Sequence, residues 1–437
     1  MGNRTITFLK NSLILSASTI GLSFVSMWWN VYINAKVGGL GVGIFALIFS
    51  VYSFSMTAAG FGSALATTRL TAEELANRND RGIKKALIFS FIYGLCFSLL
   101  TLLIIIIFGD KIVDIFLHSK VSKNCLIVIS LSIPFVTISN AIHGYFNAVG
   151  RVFKAVSVQF FEQGIKILSC IILISSLKNI SIEMICFYLG LSITISEVFG
   201  FLLRIILYIY DKNKYLINLN KGNSIVTRFL KIAIPIGASS SIKMALTSTK
   251  QMLIPSSLER SGTSCDIAIK NYGIVSGMAL SCIYFPASIL YAISTLFTAE
   301  FAMLYQKKYM GRIKTVVKKI IKIILIISIV FSIFFMFCKD ELSMFLFRNN
   351  EAGKYIFMLA PCIPVIYLDI IVDGILKGLN KQTYVVGISI IDTIITIALI
   401  TTILPIFGTT GYIVIIYISE MLNTGLGLLV LRKTLSS

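Results

Sequence analysis

The sequence predicts an all-α, polytopic membrane protein of about twelve transmembrane helices, built as two parallel-repeat six-helix lobes. Three observations predict it: long apolar runs, a one-sided distribution of Lys and Arg, and short words that recur at a nearly fixed offset. Of the 437 residues, 57% are hydrophobic and 13% charged, whereas a soluble domain carries about a quarter charged residues. Runs such as 97–108 and 320–338 are apolar all round, with no polar face to offer water. About 20 such residues cross a hydrocarbon core of about 30 Å.

Helices are expected at 8–34, 41–68, 82–108, 122–147, 152–176, 182–208, 229–254, 268–298, 313–338, 352–377, 382–404 and 409–431. Arg4 and Lys10 lead into the first, which is long and shows no small-residue cleavage site, so a retained helix is expected rather than a signal peptide. Turn residues and charges separate the others, at Gly38-Gly39, 77–82, 212–222 and 261–264. Gly39-Leu40-Gly41-Val42-Gly43 follows no strand and reads as a turn, not a nucleotide loop.

Orientation follows from the basic residues. With the N-terminus inside, 26 of the 39 Lys and Arg fall in or beside cytoplasmic segments, 10 fall outside, and Lys166, Lys243 and Lys250 lie within helices. The acids run the other way, with 5 inside, 8 outside and 6 within helices. The asymmetry puts both termini in the cytoplasm and makes the helix count even. The net charge of +20 is then topological, and no nucleic-acid partner is expected.

Internal words split the chain in two. Ile133-Pro134, Gly144 and Glu162 recur, all at one offset, as Ile363-Pro364, Gly374 and Asp392, and the same offset maps His143 to Asp373. Phe8-Leu9-Lys10 and Ala17-Ser18 recur, again at one offset, as Phe229-Leu230-Lys231 and Ala238-Ser239. Thr71-Ala72-Glu73 recurs as Thr298-Ala299-Glu300, and Ile195-Ser196-Glu197 as Ile418-Ser419-Glu420. The expected domains are a six-helix lobe over 1–210, a cytoplasmic linker over 211–228 and a second lobe over 229–437. Six helices per half give both halves one orientation, which favours a central cavity and alternating access by rocking.

Charges inside apolar helices are costly and mark function by default. Lys243, Thr247 and Lys250 share one face of the seventh helix at i, i+4 and i+7, with no acid near them on that helix. Two readings fit: a hydrated cavity that accepts an anion, or bridges to acids on neighbouring helices. Arg69, at the inner end of the second helix, either extends that basic surface or anchors the helix at the cytoplasmic face. Glu162 and Lys166 stand at i, i+4 and read as a structural pair. Asp369 and Asp373 are like charges at the same spacing, and need a cation or a proton between them. With Asp392, Thr393 and Thr396 on the next helix they suggest Na+ or H+ coupling, pairing with intramembrane lysines being the alternative. Glu197 and Glu420 are repeat-related and read as structural.

The eight cysteines are scattered and form no CxxC or metal-ligand cluster. No GxxxxGK[ST] occurs, which removes ATP as the direct energy source. No Ser/His/Asp or Cys/His constellation stands out, and no enzyme activity or organic cofactor is expected.

Two stretches carry a family resemblance. Gly43-Ile44-Phe45-Ala46, Val51-Tyr52, Ala58-Ala59-Gly60, Ala64-Leu65-Ala66 and Arg69-Leu70-Thr71-Ala72-Glu73 resemble the second-helix signature of the stage V sporulation protein B group. So do Leu253-Ile254-Pro255, Leu258, Tyr272-Gly273, Gly277-Met278-Ala279-Leu280 and Phe285-Pro286. That group belongs to the polysaccharide-transport branch of the multidrug/oligosaccharidyl-lipid/polysaccharide (MOP) exporter superfamily. The resemblance implies a V-shaped, two-lobed transporter in the bacterial plasma membrane. It implies undecaprenyl-pyrophosphate-linked saccharides or peptidoglycan precursors as substrates, and a role in sporulation, cell wall or capsule. It also implies a cationic headgroup site, which Lys243, Lys250, Thr247 and Arg69 would supply, and a cation site, which Asp369 and Asp373 would supply.

The leading expectation is therefore a flippase, acting as a monomer among membrane lipids. It would pass an anionic headgroup through a basic inter-lobe cavity while the polyprenyl tail stays in lipid. The alternative within the superfamily is a drug/cation antiporter with an acid-lined cavity. A prenyl-pyrophosphate enzyme using Asp369 and Asp373 is a third reading, against which their apolar surroundings speak.

Overall fold

The computed structural model describes residues 2–77, 79–116, 122–175, 181–212 and 225–436, and of residues 2–13, 80, 116, 212 and 436 only the backbone. Most of the expected linker, 213–224, lies outside the described residues. Described residues form sixteen α-helices and no strand. In chain order these are α1 (Gly2–Gly60), α2 (Ser63–Ala76), α3 (Asp80–Phe116), α4 (Lys123–Ser130), α5 (Ile133–Ala148) and α6 (Val152–Ser175). They continue with α7 (Ile182–Lys212), α8 (Ile225–Glu259), α9 (Cys265–Tyr272), α10 (Leu280–Gln306) and α11 (Met310–Phe337). The last five are α12 (Lys339–Phe347), α13 (Asn350–Leu359), α14 (Ile363–Gly378), α15 (Gln382–Thr402) and α16 (Leu404–Ser436).

Eleven runs are long and apolar enough to cross a bilayer. The first, Ile14–Ala76, is 63 residues, far longer than one crossing requires. Gly38 divides it, with φ 70° and ψ 175°, a conformation open to glycine and strained for other residues. Dividing it there gives the twelve spans the sequence predicts. The apolar character is directed outward as well as inward. On α3, Leu99, Leu100, Leu103, Ile104 and Ile107 are all more than two-fifths exposed. Such a continuous apolar face belongs against lipid, not water.

Three predicted helices are broken within their spans. The second bends at Phe61-Gly62, both at positive φ, before α2 begins. The fourth breaks between Ser130 and Ile133, and the tenth through a 3-10 turn at Ala360–Cys362. The last two breaks are the same break, since α5 and α14 are each 16 residues long and start at the repeat-related pair Ile133 and Ile363. Each carries its proline in the first turn, where the missing N–H leaves no bond unmade. The eighth span holds a π-helical turn, Gly273–Ala279, between α9 and α10.

The repeat extends to packing. A Cβ on Gly144 of α5 would stand 2.8 Å from the Ala64 carbonyl oxygen of α2. Its counterpart Gly374 on α14 would stand 2.9 Å from the Ser294 carbonyl oxygen of α10. The offset that carries Gly144 onto Gly374 also carries Ala64 onto Ser294. One small-residue crossing is thus used twice.

The chain resolves into two compact units, Leu47–Ser248 and the pair Met1–Ala46 with Thr249–Ser437. These boundaries differ from those drawn from the repeats, 1–210 and 229–437. Each repeat contributes its first helix, in whole or part, to the other repeat's unit. The reason is local in each case. Within the first unit, the start of α8 inserts Phe229 and Ala233 among Ala66, Leu70, Ala86 and Tyr93. Within the second, α1 and the eighth span cross at glycines: a Cβ on Gly43 would strike the Ile269 carbonyl oxygen, and one on Gly273 the Gly39 carbonyl oxygen. Gly39/Gly43 and Gly273/Gly277 are both i, i+4 glycine pairs of the kind that lets membrane helices touch backbone to backbone. The segment 39–43 is thus a helical packing surface, and the only turn there is at Gly38.

Candidate functional site

The helix-embedded charges fall into four groups. The basic face of α8 comes first. Lys243 is exposed and Lys250 half-buried. The Thr247 hydroxyl donates to the Lys243 carbonyl at 3.0 Å, which fixes its rotamer along the helix. Neither lysine ammonium makes a hydrogen bond or ion pair with a described residue. Lys250 is close enough to Glu420 of α16 for their charges to attract. The face is cationic and largely unspent.

Arg69 has a different environment. Its guanidinium meets Glu73 at 3.1 Å, one turn on, at the surface of α2. Glu73 also meets Arg228 at 2.6 Å, and Arg228 reaches Glu74 at 2.6 Å. Asn79 donates to Glu74 at 2.7 Å and accepts from the Gly82 amide at 3.1 Å. Arg69 therefore belongs to a chain of ion pairs that fastens α2 to the start of α8. Arg228, its central member, stands at the edge of the expected linker and carries no intramembrane signal in the sequence.

The third group lies between α6 and α7. Glu162 pairs with Arg204 at 2.7 Å, both largely buried. A second contact, from Arg204 to the other carboxylate oxygen, is 2.9 Å. Gly200 makes room, since a Cβ there would collide with the Glu162 carboxylate. Lys166 and Glu197 attract each other across the same region. The sequence places Arg204 among the cytoplasmic cations at the end of its helix. In the folded unit it faces inward to Glu162, a partner additional to the expected Lys166.

The fourth group is acidic and lies on α14, α15 and α16. Asp373 meets Lys377, one turn on, at 3.5 Å, so the cation that the Asp369/Asp373 spacing calls for is partly supplied by the chain. Asp369 makes no hydrogen bond or ion pair with a described residue, and lies within the field of Asp373, Glu420 and Asp392. Buried Asp392 accepts from Ser419 at 2.7 Å and from Thr396 at 3.4 Å. Glu420 accepts from the Tyr284 hydroxyl at 3.1 Å. Among the described residues, no three His, Cys, Asp or Glu side chains stand close enough together to hold a metal ion. The group is a set of carboxylates with separate partners, or in Asp369 none among the described residues, rather than a preformed chelate.

The repeats treat one position in two ways. Glu162 and Asp392 are equivalent by the offset that carries Ile133-Pro134 onto Ile363-Pro364. The first is paired with an arginine, and the second accepts hydrogen bonds from hydroxyls. The helix-embedded carboxylates divide accordingly: on α6 and α7 Glu162 and Glu197 stand with Arg204 and Lys166, whereas on α14–α16 Asp369, Asp392 and Glu420 have no ion pair with a described residue.

Comparison with known proteins fits this arrangement of broken, charged, repeated helices. The chain is 23% identical to stage V sporulation protein B of Bacillus subtilis (strain 168), over 90% of this chain and 77% of that protein. Its fold is similar to the inward-facing conformation of a multidrug resistance MATE family transporter of the MOP superfamily, with a TM-score of 0.77 and 15% identity, covering 99% of this chain and 98% of that one. It is also similar to a MOP superfamily transporter from Pyrococcus furiosus Vc1, described as having a binding pocket of reverse polarity that suggests a different function. There the TM-score is 0.66 and the identity 16%, covering 98% of this chain and 96% of that one. The MatE family matches residues 15–172 and 266–402, more than half of the sequence. The chain belongs to the MatE family, and has the fold of a multi-pass membrane protein.

Proposed function

We propose that this transporter is a flippase for an anionic, lipid-linked saccharide, with a polyprenyl pyrophosphate as the carrier. The observation that carries the proposal is the face of α8, where Lys243 and Lys250 stand two turns apart and make no ion pair with a described residue. A pyrophosphate is the ligand such a face suits, and an organic cation is the ligand it repels. The likeness to stage V sporulation protein B supports the polysaccharide branch over the drug branch.

In the proposed cycle, Lys243 and Lys250 hold the pyrophosphate while Thr247 offers its hydroxyl oxygen to the sugar. The tail stays in lipid, because moving apolar chain out of hydrocarbon gains nothing. Carriage of negative charge out of a negative interior is favoured by about 2.3 kcal/mol per charge per 100 mV. Na+ or H+ binding at Asp369, Asp373 and Asp392 would bias the two access states, since a ligand shifts an equilibrium only by its preference for one state.

Transport of a labelled polyprenyl-pyrophosphate saccharide across proteoliposomes tests the residue assignment. Lys243→Gln with Lys250→Gln is expected to lower the rate at least about tenfold, from loss of two charge-assisted contacts. Wild-type rates in that double variant would remove α8 from the site. Because Lys250 also neighbours Glu420, the single Lys243→Gln variant carries the cleaner result.

A further inference from the structure

The second repeat leaves a cationic groove open where the first repeat fills the same place with its own carboxylate. In the first repeat, Asp211 at the end of α7 is fully buried against Arg151 and Lys154, with the Tyr145 hydroxyl donating at 3.1 Å. Lys154 reaches it at 2.6 Å. Arg151 follows Gly150, which closes α5 at φ 75°, and its amide donates to the Phe146 carbonyl at 2.8 Å.

The second repeat copies the backbone. Asn380 closes α14 at φ 58°, and the Lys381 amide donates to the Leu376 carbonyl at 2.9 Å. The offset that carries Glu162 onto Asp392 puts Lys381 in the place of Arg151. The offset of the last helices, which carries Glu197 onto Glu420, puts Thr434 in the place of Asp211. The cation is kept and its carboxylate is gone. What remains is a groove of about 760 Å3 lined by Lys308, Lys377 and Lys381, with Thr434, Tyr305 and Asn380. Lys381 makes no ion pair with a described residue, and its ammonium rests 5.7 Å from the Tyr384 ring centre. Lys308 likewise makes no ion pair with a described residue. Lys377 holds Asp373 at 3.5 Å.

We propose that this groove binds the phosphate headgroup of an anionic phospholipid. Its volume far exceeds what a bare phosphate needs. Residues 301–338, which run past the groove, carry seven Lys and Arg and no acid. Four lysines of α11 are exposed, at 314, 318, 319 and 322. Directly beyond Lys322 the same helix exposes Ile323, Ile326 and Val330. Cations beside a lipid-facing apolar face are the arrangement an amphiphile requires, head at the groove and acyl chains along α11. The charge asymmetry of the sequence assigns these segments to the cytoplasmic leaflet, where anionic headgroups concentrate basic clusters.

The test uses the purified full chain in detergent, with native mass spectrometry counting retained phosphatidylglycerol against phosphatidylcholine. The wild type is expected to retain phosphatidylglycerol selectively. Lys308→Gln with Lys381→Gln should weaken that retention about thirty-fold, and Lys354→Gln, on α13, should leave it unchanged. Thr434→Asp restores the carboxylate of the first repeat and should expel the lipid without lowering the lipid-free melting temperature. Equal retention of the two lipids, or phosphatidylglycerol selectivity surviving in the Lys308→Gln/Lys381→Gln variant or in Thr434→Asp, overturns the proposal. Displacement of the lipid by millimolar inorganic phosphate also overturns it, by assigning the groove to free phosphate.

Discussion

Gly273 sits so close to α1 that a Cβ added to it would stand 2.5 Å from the Gly43 amide nitrogen. The crossing joins two helices from different sequence repeats into one compact unit. It is made of backbone on both sides, so neither helix can yield to a side chain.

Gly273→Ala and Gly43→Ala are therefore expected to destabilise the protein by about 1–3 kcal/mol each. Gly387→Ala is the control, since a Cβ there meets nothing within 4 Å. It should be neutral or slightly stabilising, as Ala is the better helix former. Thermal unfolding in detergent, followed by a thiol-reactive dye or scattering, distinguishes the two.

Removing one partner of the Glu162–Arg204 pair should cost more than removing both. Both groups are largely buried, and an orphaned charge costs about 3–5 kcal/mol. Arg204→Leu is expected to fold poorly, and Arg204→Leu with Glu162→Leu to recover most of the loss. A double variant no better than the single one would show that the ion pair is not what holds α6 to α7.

The Arg228 network is more exposed, and its effect is smaller. Arg228→Gln breaks contacts to both Glu73 and Glu74. About 1 kcal/mol is expected, with the difference from wild type shrinking as salt is raised. Proteolysis near the start of α8 should accelerate, because the network fastens that end to α2.

Much of this is legible in the sequence, and the limits are physical. Twelve spans follow from apolar length together with the turn residues and charges that separate the runs, Gly38-Gly39 above all. The repeat predicts that Ile133-Pro134 and Ile363-Pro364 do the same thing, and both open a 16-residue helix after a break. The breaks themselves are invisible to hydropathy, because a bend at Phe61-Gly62 changes no residue's polarity. Helix pairing is equally hidden. Arg204 and Arg228 look like cytoplasmic anchors until packing shows them facing Glu162, Glu73 and Glu74. The compact units escape a repeat-based division because glycine contacts, not sequence order, decide which helices touch.

Coupling makes a separate prediction. Asp369→Asn and Asp392→Asn are expected to abolish any acceleration of transport by a Na+ or pH gradient while leaving the protein folded. Asp373→Asn frees Lys377 and should have the weaker effect, since that carboxylate already has a cation at 3.5 Å. Gradient-driven uptake measured with and without valinomycin separates ion coupling from the membrane potential. Unchanged gradient dependence in both Asp369→Asn and Asp392→Asn would place the coupling ion elsewhere.

Above all, this MatE-family protein is proposed to move an anion on a lipid rather than a cationic drug. The direct measurement compares, in the same wild-type proteoliposomes, flipping of a polyprenyl-pyrophosphate saccharide with uptake of a fluorescent organic cation. Protein-dependent flipping of the first and no transport of the second are predicted. Uptake of the cation without flipping of the lipid-linked saccharide would contradict the proposed function.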